Sequence, residues 1–247
     1  MQFPAKTILL TSSIACASLF TTPAAAQDKL LLDLDRYDAG RIIDDEFVLD
    51  AGVTVSALKG TGNNPPQGYV VLFDSLGNFP GDDPDLLGPP WNSGNAQFFI
   101  AGNLMIIQEN GPSNKELNAG ELCFNGGGCN EPDDNANGGQ IIFEFDTPQE
   151  EFRFYWVDLD DPSEANIRFV DNSQSPADDV LVNFDEFSDS SSVFYDSTIA
   201  FGDKSFDFVD TMTAAELSTF AGKTFTQFDE VRFELDGSGS IAFVETT

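Results

Sequence analysis

The chain has 247 residues, with 42 Asp plus Glu against 11 Lys plus Arg, no histidine, and a formal net charge of -31. A surface this acidic repels nucleic acid and anionic lipid and attracts divalent cations. The absence of histidine excludes Ser-His and Cys-His nucleophiles and every His-containing zinc signature.

Met1 to Ala26 read as an export signal: Lys6 is the one early charge, an apolar core runs from Ile8 to Phe20, and Pro23-Ala24-Ala25-Ala26 precedes Gln27. Thr and Ser interrupt the apolar stretch too often for a membrane span. A lipoprotein site at Cys16 is disfavoured, because Ser13 stands where a large aliphatic residue is expected. The expected location is therefore secreted or extracellular, with the periplasm as an alternative. The remaining chain, residues 27–247 and about 220 residues, is expected to form one all-β domain.

Leu30 to Asp35 is a first apolar run, Arg41 to Phe47 is ambiguous, and Gly52 to Leu58 alternates with the period of a half-buried strand. Gly60 to Gly68 reads as a loop around Asn63-Asn64-Pro65-Pro66, and Tyr69 to Phe73 as a strand buried on both faces. Gly77 to Gly94 holds Pro80, Pro84, Pro89 and Pro90, so it predicts a long loop. A strand pair, Gln97 to Ile100 and Leu104 to Gln108, follows. Strands are then expected at Gln140 to Asp146, Phe152 to Asp158, Ile167 to Val170, Val180 to Phe184, Val193 to Tyr195 and Ser205 to Val209. Thr213-Ala214-Ala215-Glu216 has capping-box spacing and Gly222 is placed to end the helix it opens. Phe228 to Leu235, the turn Asp236 to Gly239, and Ile241 to Val244 read as a hairpin. Short strands separated by turns predict a single antiparallel β-sandwich, jelly-roll-like, with one short helix near the C-terminus.

Two loops concentrate oxygen ligands. Asp82, Asp83 and Asp85 lie within four positions and repel one another unless a cation sits among them, and calcium takes six to eight such oxygens. In the second loop, Asp133-x-Asn135-x-Asn137-Gly138 with Glu144 matches the EF-hand ligand spacing, although its flanks are not helices. The bland alternatives are a solvated acidic loop in the first case and an Asx-rich turn bonding its own backbone in the second. Cys123 and Cys129 flank a Gly-rich stretch and are expected to pair as a disulfide in an oxidising compartment. Most of the 24 phenylalanines occupy strand positions, and Trp156 with them reads as core. Trp91, between prolines and Asn92-Ser93-Gly94, is either a loop anchor or a flat surface for the apolar face of a sugar ring.

Phe73-Asp74-Ser75, Asp82-Asp83-Pro84-Asp85-Leu86, Asn103 to Glu109, Pro132-Asp133-Asp134-Asn135 with Gly138-Gly139, and Gly237-Ser238-Gly239 together resemble a group of bacterial exported β-sandwich proteins. Many members of that group carry a PEP-CTERM sorting signal. The resemblance implies a jelly-roll-type module of the kind used in extracellular matrix and carbohydrate-binding proteins. The sorting signal itself is missing from Glu245-Thr246-Thr247. The expected function is a calcium-stabilised, non-catalytic binding or matrix module whose partner is a neutral glycan or a matrix component. Two alternatives stand beside it: a polysaccharide hydrolase using paired carboxylates, and a purely structural protein.

Overall fold

The computed structural model describes residues 29–60, 65–81, 83–89, 91–92, 94, 101–109, 123–124, 128–159, 162–163, 165–174 and 176–247. The expected signal segment Met1 to Ala26, Asp82 and the expected strand Gln97 to Ile100 lie outside them.

The strands in chain order are β1 (Leu30–Leu32), β2 (Ile42–Ile43), β3 (Val53–Lys59), β4 (Gln67–Gly68), β5 (Val70–Asp74), β6 (Asn103–Ile107), β7 (Cys123–Phe124) and β8 (Gly128–Cys129). After them come β9 (Gly139–Gln149), β10 (Glu151–Val157), β11 (Asn166–Asp171), β12 (Asp178–Asn183), β13 (Phe206–Thr213), β14 (Phe228–Leu235) and β15 (Ser240–Thr246). The helices are α1 (Val48–Ala51) and α2 (Ala214–Ala221). Sheet I runs β13-β10-β15-β6-β5-β2, with β1 also paired to β15, and sheet II runs β12-β11-β14-β9-β3-β4. All their pairings are antiparallel, and the two sheets pack face to face as a β-sandwich.

Strand alternation sets which rings meet between the sheets. In β10, Phe152, Phe154 and Trp156 point inward while Arg153 and Tyr155 point out. Phe154 meets Phe233 of β14 across the interface, edge to face at 4.8 Å, and Phe152 meets Phe169 of β11 at 6.0 Å. Trp156 is 2 % exposed and stacks on Phe201 at 5.2 Å, as expected of a core residue. Burying rings of this size contributes roughly 1.5 to 3 kcal/mol each. The capping box of α2 forms as read: Thr213 Oγ1 accepts from Glu216 N at 3.1 Å, Thr213 N donates to Glu216 Oε2 at 2.9 Å, and Gly222 closes the helix at φ +64°.

Two expectations about strands fail. Val193 to Tyr195 is a turn, because Asp189, Ser192 and Asp196 draw the local backbone N–H groups to their own side chains. β14 and β15 are not a hairpin: β14 lies between β11 and β9 in sheet II, and β15 between β10 and β6 in sheet I. Both strands bury alternate apolar residues in the same core from opposite sides, so the Asp236 to Gly239 turn carries the chain from one sheet to the other.

A second, smaller core lies on the other face of sheet I, where Leu104 and Ile106 of β6 and Val71 and Phe73 of β5 are covered by Leu86, Ala101 and the cystine. Cys123 and Cys129 are joined as a disulfide (S–S 2.01 Å), and Cys129 N donates to Gly40 O. Gly40 has φ +80°, and a Cβ there would lie 2.2 Å from Cys129 O, so only glycine admits this approach.

Candidate metal centre

The two acidic loops, expected as separate sites, converge on one. Asp83, Asp133 and Asp134 each place a carboxylate oxygen within 4.8 Å of the others. The first loop leaves β5 at Ser75, whose buried hydroxyl lies 2.7 Å from both Ala101 O and Gly102 O and closes the loop's neck. Leu86, fully buried, fastens the same loop to sheet I. Asp83 Oδ1 accepts from Asp85 N at 2.9 Å and Leu86 N at 3.2 Å, so this carboxylate also shapes its own turn. The second loop is sewn to the end of β6: Glu109 N donates to Asp133 O at 2.9 Å, Asp133 N to Gln108 Oε1 at 3.2 Å, and Gln108 bridges to Asp134. In the antiparallel β5–β6 pair Asp74 stands opposite Asn103 and Val70 opposite Ile107, so the two loops start from opposite ends of the pair, and the first loop returns over the outer face of sheet I, where Leu86 packs, to bring Asp83 to Asp133 and Asp134.

A fourth carboxylate, Asp158, sits beside this group at the end of β10, 3 % exposed and in the left-handed region at φ +61°. Its Oδ1 accepts from Lys204 N at 3.0 Å. Ser238, in the turn between β14 and β15, links Asp158 to the others: its Oγ lies 3.0 Å from Asp158 Oδ2 and also hydrogen-bonds Asp134 Oδ2. Gly239 N donates to the same Asp134 oxygen at 3.1 Å. A serine hydroxyl has one proton to donate, so it cannot satisfy two ionised carboxylates at once.

The electrostatics follow from burial without a counter-charge. Asp134, 6 % exposed, is pushed up to about 8; burial is the main cause, the neighbouring Asp83 carboxylate adds to it, and the bonds from Ser238 and Gly239 oppose it. Asp158 is also raised, first by burial, with Asp83 and Asp85 adding repulsion and the Lys204 and Ser238 bonds opposing. Among the described residues, no Lys or Arg forms an ion pair with Asp83, Asp134 or Asp158. In chemistry, the donor set is all oxygen, which suits calcium or magnesium and not a thiolate- or imidazole-seeking metal.

The expected ligands divide accordingly. Asp83 and Asp133 are in the cluster, Asp85 adds repulsion to Asp158 beside it, and Asp82 lies outside the described residues. Asn135 is spent on its own turn, donating from Nδ2 to Gly138 O at 2.5 Å and accepting from Asn137 N at 3.4 Å, and Asn137 is exposed. Glu144 stands apart: it is exposed on β9, paired between Thr54 and Glu230, with a straight strand rather than a returning helix between it and the loop. The EF-hand spacing is therefore not realised as a coordination shell. Asp134, Asp158 and Ser238 were not among the expected ligands. The acidic turn after β10 and the Gly237-Ser238-Gly239 turn are the sequence features that carry the last two.

Trp91 is half-buried, its ring 5.0 Å from Phe206 and lying over Gly88, where a Cβ would fall 2.0 Å from the indole. Its Nε1 is enclosed, without a hydrogen-bond partner among the described residues. These contacts give the ring an anchoring role in its loop. No protein-family profile matches the chain, and no curated protein matches it significantly.

Proposed function

We propose that this protein is an exported β-sandwich whose fold is stabilised by calcium at Asp83, Asp133 and Asp134, and that it acts as a non-catalytic binding or matrix module for a neutral glycan. The observation that carries the reading is the meeting of three carboxylates from two loops, partly buried and, among the described residues, with no basic side chain paired to Asp83 or Asp134. Such a group is stabilised by a divalent ion more than by water. Calcium is favoured over magnesium because it accepts six to eight irregularly placed oxygens, a geometry that loop carboxylates and carbonyls suit, whereas magnesium demands a tight octahedron.

The Cys123–Cys129 disulfide supports an oxidising compartment, and among the described residues no helix is long and apolar enough to cross a membrane. The resemblance to exported β-sandwich proteins supports the binding or matrix role. The hydrolase alternative gains nothing from the cluster, since Asp134 at 6 % and Asp158 at 3 % exposure leave no room for a sugar between them.

Isothermal titration with calcium and with magnesium, on protein first stripped with EDTA, tests the cation. Saturable calcium uptake that Asp83→Asn and Asp134→Asn each abolish is the expected result. Equal, weak responses to both ions, unchanged in the variants, would return the cluster to a solvated acidic surface.

A further inference from the structure

We infer that the concavity between the 193–199 turn and the outer edge of β13 is a subsite for one uncharged sugar ring, stacked on Tyr195 with its hydroxyls on Asp210. This rests on the glycan reading above and supplies the contact surface that Trp91 does not. Among the residues whose burial is described, Tyr195 is the most exposed aromatic side chain, at 43 %, and Val193, two positions before it, is 47 % exposed. An exposed ring next to an exposed aliphatic residue is a flat apolar surface of the kind that the C–H face of a sugar covers.

The platform is held from below. Phe194, 9 % exposed, points into the core against Phe187 and Phe220 at 6.3 and 5.3 Å. Asp196 N donates to Phe187 O at 2.8 Å, and Asp196 Oδ1 accepts from Thr198 N and Thr198 Oγ1 at 2.8 and 2.6 Å. The turn that presents Tyr195 is thus fixed at both ends, which lowers the entropy lost on binding.

The opposite wall is an edge strand with a bulge. Phe152 pairs with Met212 and Phe154 with Val209, so both Asp210 and Thr211 stand against the single residue Arg153. A bulge bends an edge strand away from adding a further strand and re-aims its side chains. Here Arg153 Nη2 reaches Thr211 Oγ1 at 2.7 Å and Asp210 Oδ1 at 3.5 Å, and Thr211 N also donates to Asp210 Oδ1 at 2.7 Å. All these contacts use Oδ1, so Oδ2 of a carboxylate 78 % exposed is left as an acceptor at the rim. The cavity is about 250 Å³, with Val209 and Met212 in its floor. That is below the roughly 300–1,000 Å³ of sites for drug-sized ligands and is matched to one ring of a longer chain. The ligand is uncharged because a protein of net charge -31 repels acidic glycans, while hydroxyl donors suit a carboxylate rim.

The test is calorimetric titration of the full-length secreted protein, in calcium, with neutral hexaoses of β-1,3-glucan, β-1,4-glucan and β-1,4-mannan, and with a chitosan oligomer as the cationic comparison. At least one neutral hexaose should bind. Tyr195→Ala should weaken it by about tenfold, Tyr195→Phe by little, and Asp210→Asn by a few fold, all with unchanged melting temperature. Neutral-glycan binding that survives Tyr195→Ala overturns this subsite and leaves the glycan reading standing. The absence of binding to every neutral hexaose overturns both. Binding to chitosan alone, lost in high salt, also overturns it, by assigning the surface to charge attraction.

Discussion

Two groups of three carboxylates occur among the described residues, and they behave in opposite ways. Asp44, Asp45 and Glu46 are contiguous in the chain, and the first two are exposed. Arg41 neutralises Glu46 at 2.7 Å, and Glu46 Oε2 accepts from Asp44 N at 2.8 Å, so the group is finished by its own neighbours. Asp83, Asp133 and Asp134 come from two loops and enclose Asp134 almost completely, with Ser238 and Gly239 donating to Asp134 and the N–H groups of Asp85 and Leu86 to Asp83. Density of acidic residues is common to both groups. A buried carboxylate with no basic side chain paired to it among the described residues, Asp134, belongs to the second alone, and that is the property a divalent ion corrects.

The largest effect that separates them is the response to calcium. An ion that binds only the folded state, at about a hundred times its dissociation constant, adds roughly 2.7 kcal/mol, which for a domain of this size is a rise of several degrees in melting temperature. Thermal melts in EDTA, calcium and magnesium measure it, with magnesium expected to do much less. An identical melting temperature in all three would erase the distinction between the two groups.

Asp134→Asn gives an effect of opposite sign. In EDTA at neutral pH the fold must take up the proton that the unfolded carboxyl has released, a cost the amide avoids, so the variant should be more stable than the parent by about 1 kcal/mol or more, while losing the calcium increment. Asp45→Asn should change neither quantity beyond about 0.5 kcal/mol. Urea unfolding of both variants, with and without calcium, makes the comparison directly.

The pH dependence sharpens it further. The unfolded chain releases the Asp134 proton near 3.8, whereas the fold holds it to about 8. Without a cation, the stability this group contributes is therefore fully present below 3.8 and is lost as the pH rises through about 8. Calcium takes the proton's place and should flatten that slope, as should Asp134→Asn. Denaturation midpoints measured across this window in EDTA and in calcium would show it, and a slope identical in parent and variant would count against the buried, proton-holding carboxylate.

The smallest effect belongs to the finished group. Arg41 is half exposed, so Arg41→Ala should cost about 1 kcal/mol or less, with the calcium increment intact. A loss of calcium response there would mean that the two groups are coupled.

Local pattern was enough for most of the elements. The alternation in Phe152 to Val157, the Thr213 to Glu216 box with Gly222, and the spacing of Cys123 and Cys129 each describe interactions over a few residues, and each appears as read. Val193 to Tyr195 misled because three apolar side chains look like a strand, while the serines and aspartates around them bind the backbone first. The β14–β15 pair misled because a Gly-rich turn between two alternating runs is the same in sequence whether the strands pair with each other or with different sheets.

By itself, then, the sequence determined an all-β sandwich with one capped helix and two loops dense in oxygen ligands, since periodicity, capping and turn chemistry act at short range. Only the tertiary structure decided that Asp83 and Asp134 meet, that Asn135 and Glu144 do not join them, and that Trp91 packs on Phe206 while Tyr195 faces solvent. The reason is physical: contact between Asp83 and Asp134 depends on the pairing of β5 with β6 and on the bridge from Gln108 to Asp134, neither of which is written in the residues of either loop.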